Sequence, residues 1–220
     1  FTGLIPAMLD DYLTIKFVGI LASLNFAGYL SGSIFSIFVK DINFKVYLYR
    51  FGIFLAISTT FILAYSDNNP LWMIGRVLAG FAGAMCLIVG TSIVMQKLTI
   101  KSKTKAMGIH FSGIGFSILT TDLLARFVLS LNYSWRDSWS VLAVFAIILS
   151  LYSVYILSFD KEVKQNAVKV KFDISIFTPF VIVLIIAYFT EGVGFVVQAT
   201  FLPDIINNLK GLEGYGSLTW

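Results

Sequence analysis

The chain has 220 residues, of which 58% are hydrophobic and 13% charged, with a formal net charge of +4. Soluble domains carry about 25% charge, and a mean hydropathy of +0.87 does not suit a water-facing surface. The charges cluster and leave apolar runs longer than the ~20 residues that cross ~30 Å of hydrocarbon, which makes this an all-α integral membrane protein and excludes a soluble enzyme, a disordered chain and a disulfide-stapled secreted domain. One cysteine, Cys86, and one histidine, His110, allow no intrachain disulfide and no His/Cys metal centre, and no cofactor is expected.

Six complete spans and two partial ones follow in chain order. Phe1–Met8 reads as the outgoing end of a first helix in a chain expected to start part-way through it, with no signal peptide; Leu9-Asp10-Asp11 stops it. The second span is Thr14–Val39, and its connection carries Lys40, Asp41 and Lys45. The third is Val46–Tyr65, closed by the turn-forming Ser66-Asp67-Asn68-Asn69-Pro70. Leu71–Gln96 is the fourth, Ala106–Leu131 the fifth and Trp139–Phe159 the sixth. Residues 160–173 form a polar linker before the seventh span at Phe177–Pro203, and Gly216–Trp220 starts an eighth. The expected organisation is therefore a bundle at 1–159, a linker at 160–173 and the beginning of a second bundle at 174–220.

Eleven Lys and Arg residues flank the connections after spans two, four and six, against three (Lys16, Arg136 and Lys210) on the other side. The positive-inside rule then puts the even-numbered connections and the amino terminus in the cytoplasm. This placement accounts for the net charge, so the expected surroundings are lipid and not nucleic acid. Trp72, Trp135 and Trp139 lie at span ends, where amphipathic rings favour the headgroup level. Small residues four apart recur: Gly28 and Gly32, then Gly75, Ala79 and Gly83 with Gly80 and Ala84 beside them, then Gly108 with Ser112 and Gly113 with Ser117. Such spacing lets helix backbones approach in lipid.

The chain also repeats. Laying Phe1–Ser23 on Gln198–Trp220 aligns Leu4-Ile5-Pro6 with Phe201-Leu202-Pro203, Asp10-Asp11 with Asn207-Asn208, and Gly19 with Gly216, without a gap. A span that resembles the first one six helices later is the mark of a parallel six-helix duplication, as in transporters built from two related halves.

Arg76-Val77-Leu78-Ala79-Gly80-Phe81-Ala82-Gly83-Ala84 resembles the fourth-helix motif of the major facilitator superfamily, and Trp135-Arg136-Asp137-Ser138-Trp139 resembles the Trp-Arg element before its sixth helix. More narrowly, three stretches look like the YbfB/YjiJ-type bacterial permeases: His110 through Gly115, Asn25 through Gly32, and Glu191-Gly192-Val193-Gly194 leading to Ala199 through Pro203. The resemblance implies a helical bundle comprising the amino-terminal six-helix half, helix seven and the start of helix eight, from a twelve-helix protein. It further implies the inner membrane, a monomer, and alternating-access transport of a small-molecule substrate by two rocking halves. Helices one, four and seven would line the central site. Two departures stand out. The loop from Val39 to Lys45 keeps Asp41 with Lys40 and Lys45, the gating-loop candidates, but lacks the superfamily's glycines. The fifth span lacks the Gly-Pro pair of drug antiporters.

Ionisable groups at depth are costly and mark candidate sites. Glu191 falls roughly 21 Å along its helix at ~1.5 Å per residue, beside Gly192 and Gly194, which can loosen the backbone. Desolvation there would favour reversible protonation, so Glu191 is the candidate for proton coupling or substrate contact. Arg76 can snorkel, pair with a carboxylate or meet an anionic substrate. Asp122 and Arg126, four apart, can pair on one face, with Asp122 against Arg76 as the competing arrangement. His110, one turn from the cytoplasmic side, is either a proton relay or hydrogen-bonded to a loop carbonyl. Asn25 and Gln198 are polar at depth and read as substrate contacts or interhelical glue.

A retinal protein is excluded by the lack of a lysine in Phe177–Pro203, and a membrane enzyme finds no Gly-x-Ser-x-Gly or His-Glu-x-x-His motif. The alternative to a transporter is a polytopic sensory or structural protein, which would not require a buried Glu191 or a duplicated unit.

Overall fold

The computed structural model describes residues 2–9, 11–97, 103–156 and 177–211, which form helices and no strand. A 3-10 turn at Thr2–Leu4 leads into α1 (Ile5–Leu9), α2 (Ile15–Ile37), α3 (Ile42–Tyr65) and α4 (Asn69–Ala84). A π-helical turn at Met85–Val89 joins α4 to α5 (Gly90–Lys97), followed by α6 (Lys103–Ser130), α7 (Trp135–Ile156) and α8 (Pro179–Asn207). Six stretches among the described residues are long and apolar enough to cross a bilayer: Ile15–Ile37, Ile42–Tyr65, Asn69–Gln96, Lys105–Ser130, Trp135–Tyr155 and Pro179–Leu202. They correspond in order to the six complete spans expected. The expected linker and the start of an eighth helix lie outside the described residues.

Side-chain caps explain where the spans begin. Thr14, Asp41, Asn68 and Thr178 each accept a hydrogen bond from the backbone N–H three residues on, satisfying donors that a helix leaves orphaned. Ser134 and Asp137 form a reciprocal box: Asp137 N–H donates to Ser134 Oγ, and Asp137 Oδ2 accepts from Ser134 N–H and its hydroxyl. Two of these caps move boundaries from those expected. Asp41 starts α3 at Ile42, so Lys45 is inside the helix and not in the preceding loop. Ser134 starts α7 at Trp135, four residues before the expected Trp139.

The chain divides into two compact units, Ala7–Val163 and a second that groups Phe1–Pro6 with Lys164–Trp220. In the second unit the 3-10 turn packs on α8. In the first, α2 lies along α4, α3 packs on α4, the π-turn and α7, and α6 rests on α7 and α5. Lipid tails are as apolar as leucine, so close packing supplies the attraction between spans. It is closest where glycines meet backbone. A Cβ on Gly80 would lie 1.9 Å from Asn25 O, and one on Gly28 would lie 2.0 Å from Val77 O. Gly75 and Gly83, on the neighbouring stripe, leave room for ordinary contact.

The α6 small residues behave otherwise. Added Cβ atoms on Gly108, Gly113 or Gly115 would meet nothing among the described residues. The hydroxyls of Ser112 and Ser117 turn back to carbonyls of their own helix. The spacing that predicts packing on α6 thus brings no described helix against it, because α6 touches its neighbours along a different face.

The tryptophans are at span ends as expected, but their rings turn into the protein: Trp72, Trp135 and Trp139 are 0%, 4% and 6% exposed. The reason is a clasp that joins three connections at one end of the first unit. Trp135 Nε1 donates to Asp11 Oδ2 at 2.8 Å, Trp72 Nε1 to Ser66 O at 2.8 Å, and Tyr12 Oη to Asn69 Oδ1 at 2.7 Å. The rings of Tyr12, Trp72 and Trp135 lie 5.2–6.2 Å apart centre to centre. Over them sits Arg136, 4.4 Å from the Trp135 ring and 5.8 Å from that of Tyr12, donating to Ala64 O and paired with Asp67. Indole N–H groups that would face headgroups find protein acceptors instead.

Burial and then the Asp67 carboxylate raise the Tyr12 phenol above its usual 10.0, with Arg136 opposing. The fold favours the neutral phenol, so its contribution is whole below the unfolded value and is lost as pH rises through the higher folded one. In the full-length protein, Tyr12→Phe should flatten the stability loss above about pH 10, measured as melting temperature against pH. An unchanged alkaline limb would count against the clasp as its source.

Candidate functional site

In the first unit, the candidate polar residues deep in the spans lie on α2, α4 and α6. Asn25, on α2, is held against α4 by the Gly28/Gly80 crossing, and its Nδ2 donates to the backbone carbonyl of Arg76 at 3.1 Å. The side chain of Asn25 is therefore engaged between helices. Arg76, two turns into α4, is half-buried beside this crossing.

Asp122 and Arg126 pair on α6, Nε to Oδ2 at 2.9 Å, as their four-residue spacing permits. Of the two arrangements weighed for Asp122, this is the one present. His110, near the start of α6, meets the Thr91 hydroxyl of α5 at 2.9 Å through Nε2; its partner is a side chain and not a loop carbonyl. One residue further along α5, Ser92 Oγ accepts from Lys45 Nζ at 2.8 Å and from Gln96 Nε2 at 3.2 Å. Lys45 is only 8% exposed.

The gating-loop candidates thus separate. Lys40 is exposed, Asp41 is engaged as the cap of α3, and Lys45 joins α3 to α5. Thr91 and Ser92 went unnoticed in the sequence because hydroxyl residues are frequent in spans and back-bond to their own helix. Their one signal is that they follow Gly90, which lets the ring of Tyr49 approach to 3.0 Å of where a Cβ would be.

The second unit holds the other two candidates. Glu191 and Gln198 are exposed on α8, and seven residues apart they share one helix face. The glycines beside Glu191 do not break the helix: α8 runs unbroken from Pro179 to Asn207, and a Cβ on Gly192 or Gly194 would meet nothing among the described residues. Glu191 stands midway along the membrane-length stretch Pro179–Leu202. An ionisable group at that depth marks a candidate site, although the described residues leave Glu191 exposed and do not supply the burial expected from the sequence. No group of three His, Cys, Asp or Glu residues that could hold a metal ion is present among the described residues.

The family model for the uncharacterised MFS-type transporter YbfB matches residues 1–220. The Protein TsgA homolog of Buchnera aphidicola subsp. Baizongia pistaciae is similar to this chain, 23% identical over 156 residues that make up 70% of this chain and 40% of that protein. The matched stretch thus spans less than half the length of this relative. No solved structure matches the chain.

Proposed function

Because the chain belongs to the YbfB-type family of major facilitator superfamily transporters, we propose that it is part of a secondary active transporter that carries a small solute across the inner membrane by alternating access. Two rocking halves expose a central site to each side in turn, and the amino terminus faces the cytoplasm on the Lys/Arg count. Glu191 couples transport to protons, with Gln198 beside it on the same helix face; in the other unit, Arg76 and Asn25 are separate candidates for solute contact or support. The observation that carries this reading is a carboxylate at the midpoint of an apolar, membrane-length helix, with Gln198 on the same face.

The test is made on the full-length protein in proteoliposomes with a panel of sugars, organic acids, amino acids and drugs. Glu191→Gln should abolish accumulation driven by a pH gradient, while exchange of a solute down its own gradient continues. Gradient-driven accumulation that survives the substitution, with its pH dependence intact, would remove Glu191 from the coupling role.

A further inference from the structure

The polar bridges from α5 depend on the irregular turn before it. In an α-helix each residue adds about 100° of rotation and about 1.5 Å of rise. A π-turn takes up one extra residue locally, so the helix beyond it keeps the orientation it would have had without that residue. Met85–Val89 is such a turn, in the second half of the Asn69–Gln96 span. Its surroundings fit it closely. Met85 and Val89 are both buried against Val46 and its neighbours on α3, and a Cβ on Gly52 would come within 2.7 Å of Met85 Cβ and 3.3 Å of Cys86 Sγ. With the turn in place, Thr91 faces His110 on α6 and Ser92 faces Lys45 on α3.

We propose that the Met85–Val89 turn is a register joint with two settings. In the π setting both bridges are made. When the extra residue is drawn into α-helical geometry, α5 turns by about 100° and advances by about 1.5 Å, and the positions of Thr91 and Ser92 pass to their neighbours. Both bridges then break together, because one rotation serves two adjacent side chains. Helix register shifts belong to the microsecond-to-millisecond range. The joint deepens the transport reading by naming where this span changes shape.

The test measures distances in the full-length protein in lipid nanodiscs without any solute, so it stands apart from whether the protein transports. Spin labels go on Met95→Cys of α5 and Ile109→Cys of α6, both exposed positions, with Cys86, which lies inside the turn, changed only to the near-isosteric serine and any cysteines elsewhere in the full-length protein replaced. The wild-type register should give two distance populations. Deleting Leu87, which is half-buried and in the turn, should leave one, at the distance of the π setting, because the extra residue is gone. Thr91→Val keeps the residue count and loses one bridge, so it should enlarge the other population, and it remains informative if the deletion variant does not fold. A single population in the wild type that Thr91→Val leaves unchanged would overturn the joint, as would two populations that persist after the Leu87 deletion.

Discussion

Gly80→Ala should cost about 3 kcal/mol or more, the upper part of the range for overpacking, although it adds a single methyl group. The added carbon would sit 1.9 Å from Asn25 O and 2.8 Å from Tyr29 N, both backbone atoms of α2 that no rotamer change can move aside. The two helices would have to separate along their whole contact, and with them the bond from Asn25 to the Arg76 carbonyl. Gly28→Ala meets the α4 backbone in the same way and should be comparably damaging. Gly108→Ala and Gly113→Ala meet nothing among the described residues and should be neutral or stabilising by up to about 1 kcal/mol, since alanine is the better helix former. Thermal unfolding of the purified full-length variants distinguishes the two groups. If all four melt alike, the α2–α4 crossing is not the tight contact described.

Arg136→Ala has the next largest expected effect, about 2–3 kcal/mol, and the sum matters less than its parts. The ion pair with Asp67 contributes little, because the Asp67 side chain is 73% exposed and surface pairs are worth about 0–1 kcal/mol. The bond to Ala64 O adds about 1 kcal/mol, and stacking on the Trp135 and Tyr12 rings adds about 0.5–1 kcal/mol each, more where water is excluded. Asp67→Asn should therefore be mild and Arg136→Lys intermediate, since an ammonium keeps charge and loses the flat stack. Thermal unfolding of these variants gives the ranking. An Asp67→Asn loss as large as that of Arg136→Ala would show that charge and not stacking holds the clasp.

The span pattern is legible in the sequence because it rests on composition over some twenty residues and on local caps such as Thr14, Asp41 and Asn68, whose chemistry acts within one turn. The Asp122–Arg126 pair is legible for the same reason: four residues on one helix fix the geometry. What escaped depends on three-dimensional partners. Small-residue spacing marks Gly80 and Gly108 alike, yet only one meets a neighbouring backbone. Tryptophan at a span end suggests the headgroup level, and the acceptors that turn Trp135 inward, such as Asp11, lie 124 residues away. The π-turn is hidden because Met85-Cys86-Leu87-Ile88-Val89 is apolar on every side, so a one-residue slip alters no hydrophobic pattern.

The 124-residue separation of Asp11 from Trp135 also orders events during synthesis. At a ribosome speed of roughly 5–20 residues per second, the first connection emerges roughly 6–25 s before the tryptophan that will receive it. Once the Ser66–Asn69 turn and Trp72 have been made, Tyr12 can meet both, but the Asp11 carboxylate still lacks its Trp135 donor, and the cation that seals the group arrives last. The end of the first unit therefore stays open until the sixth span enters the membrane. Premature termination before Trp135 would leave a chain whose early helices have inserted but whose edge remains unsealed, a state that quality-control proteases can distinguish from the finished unit.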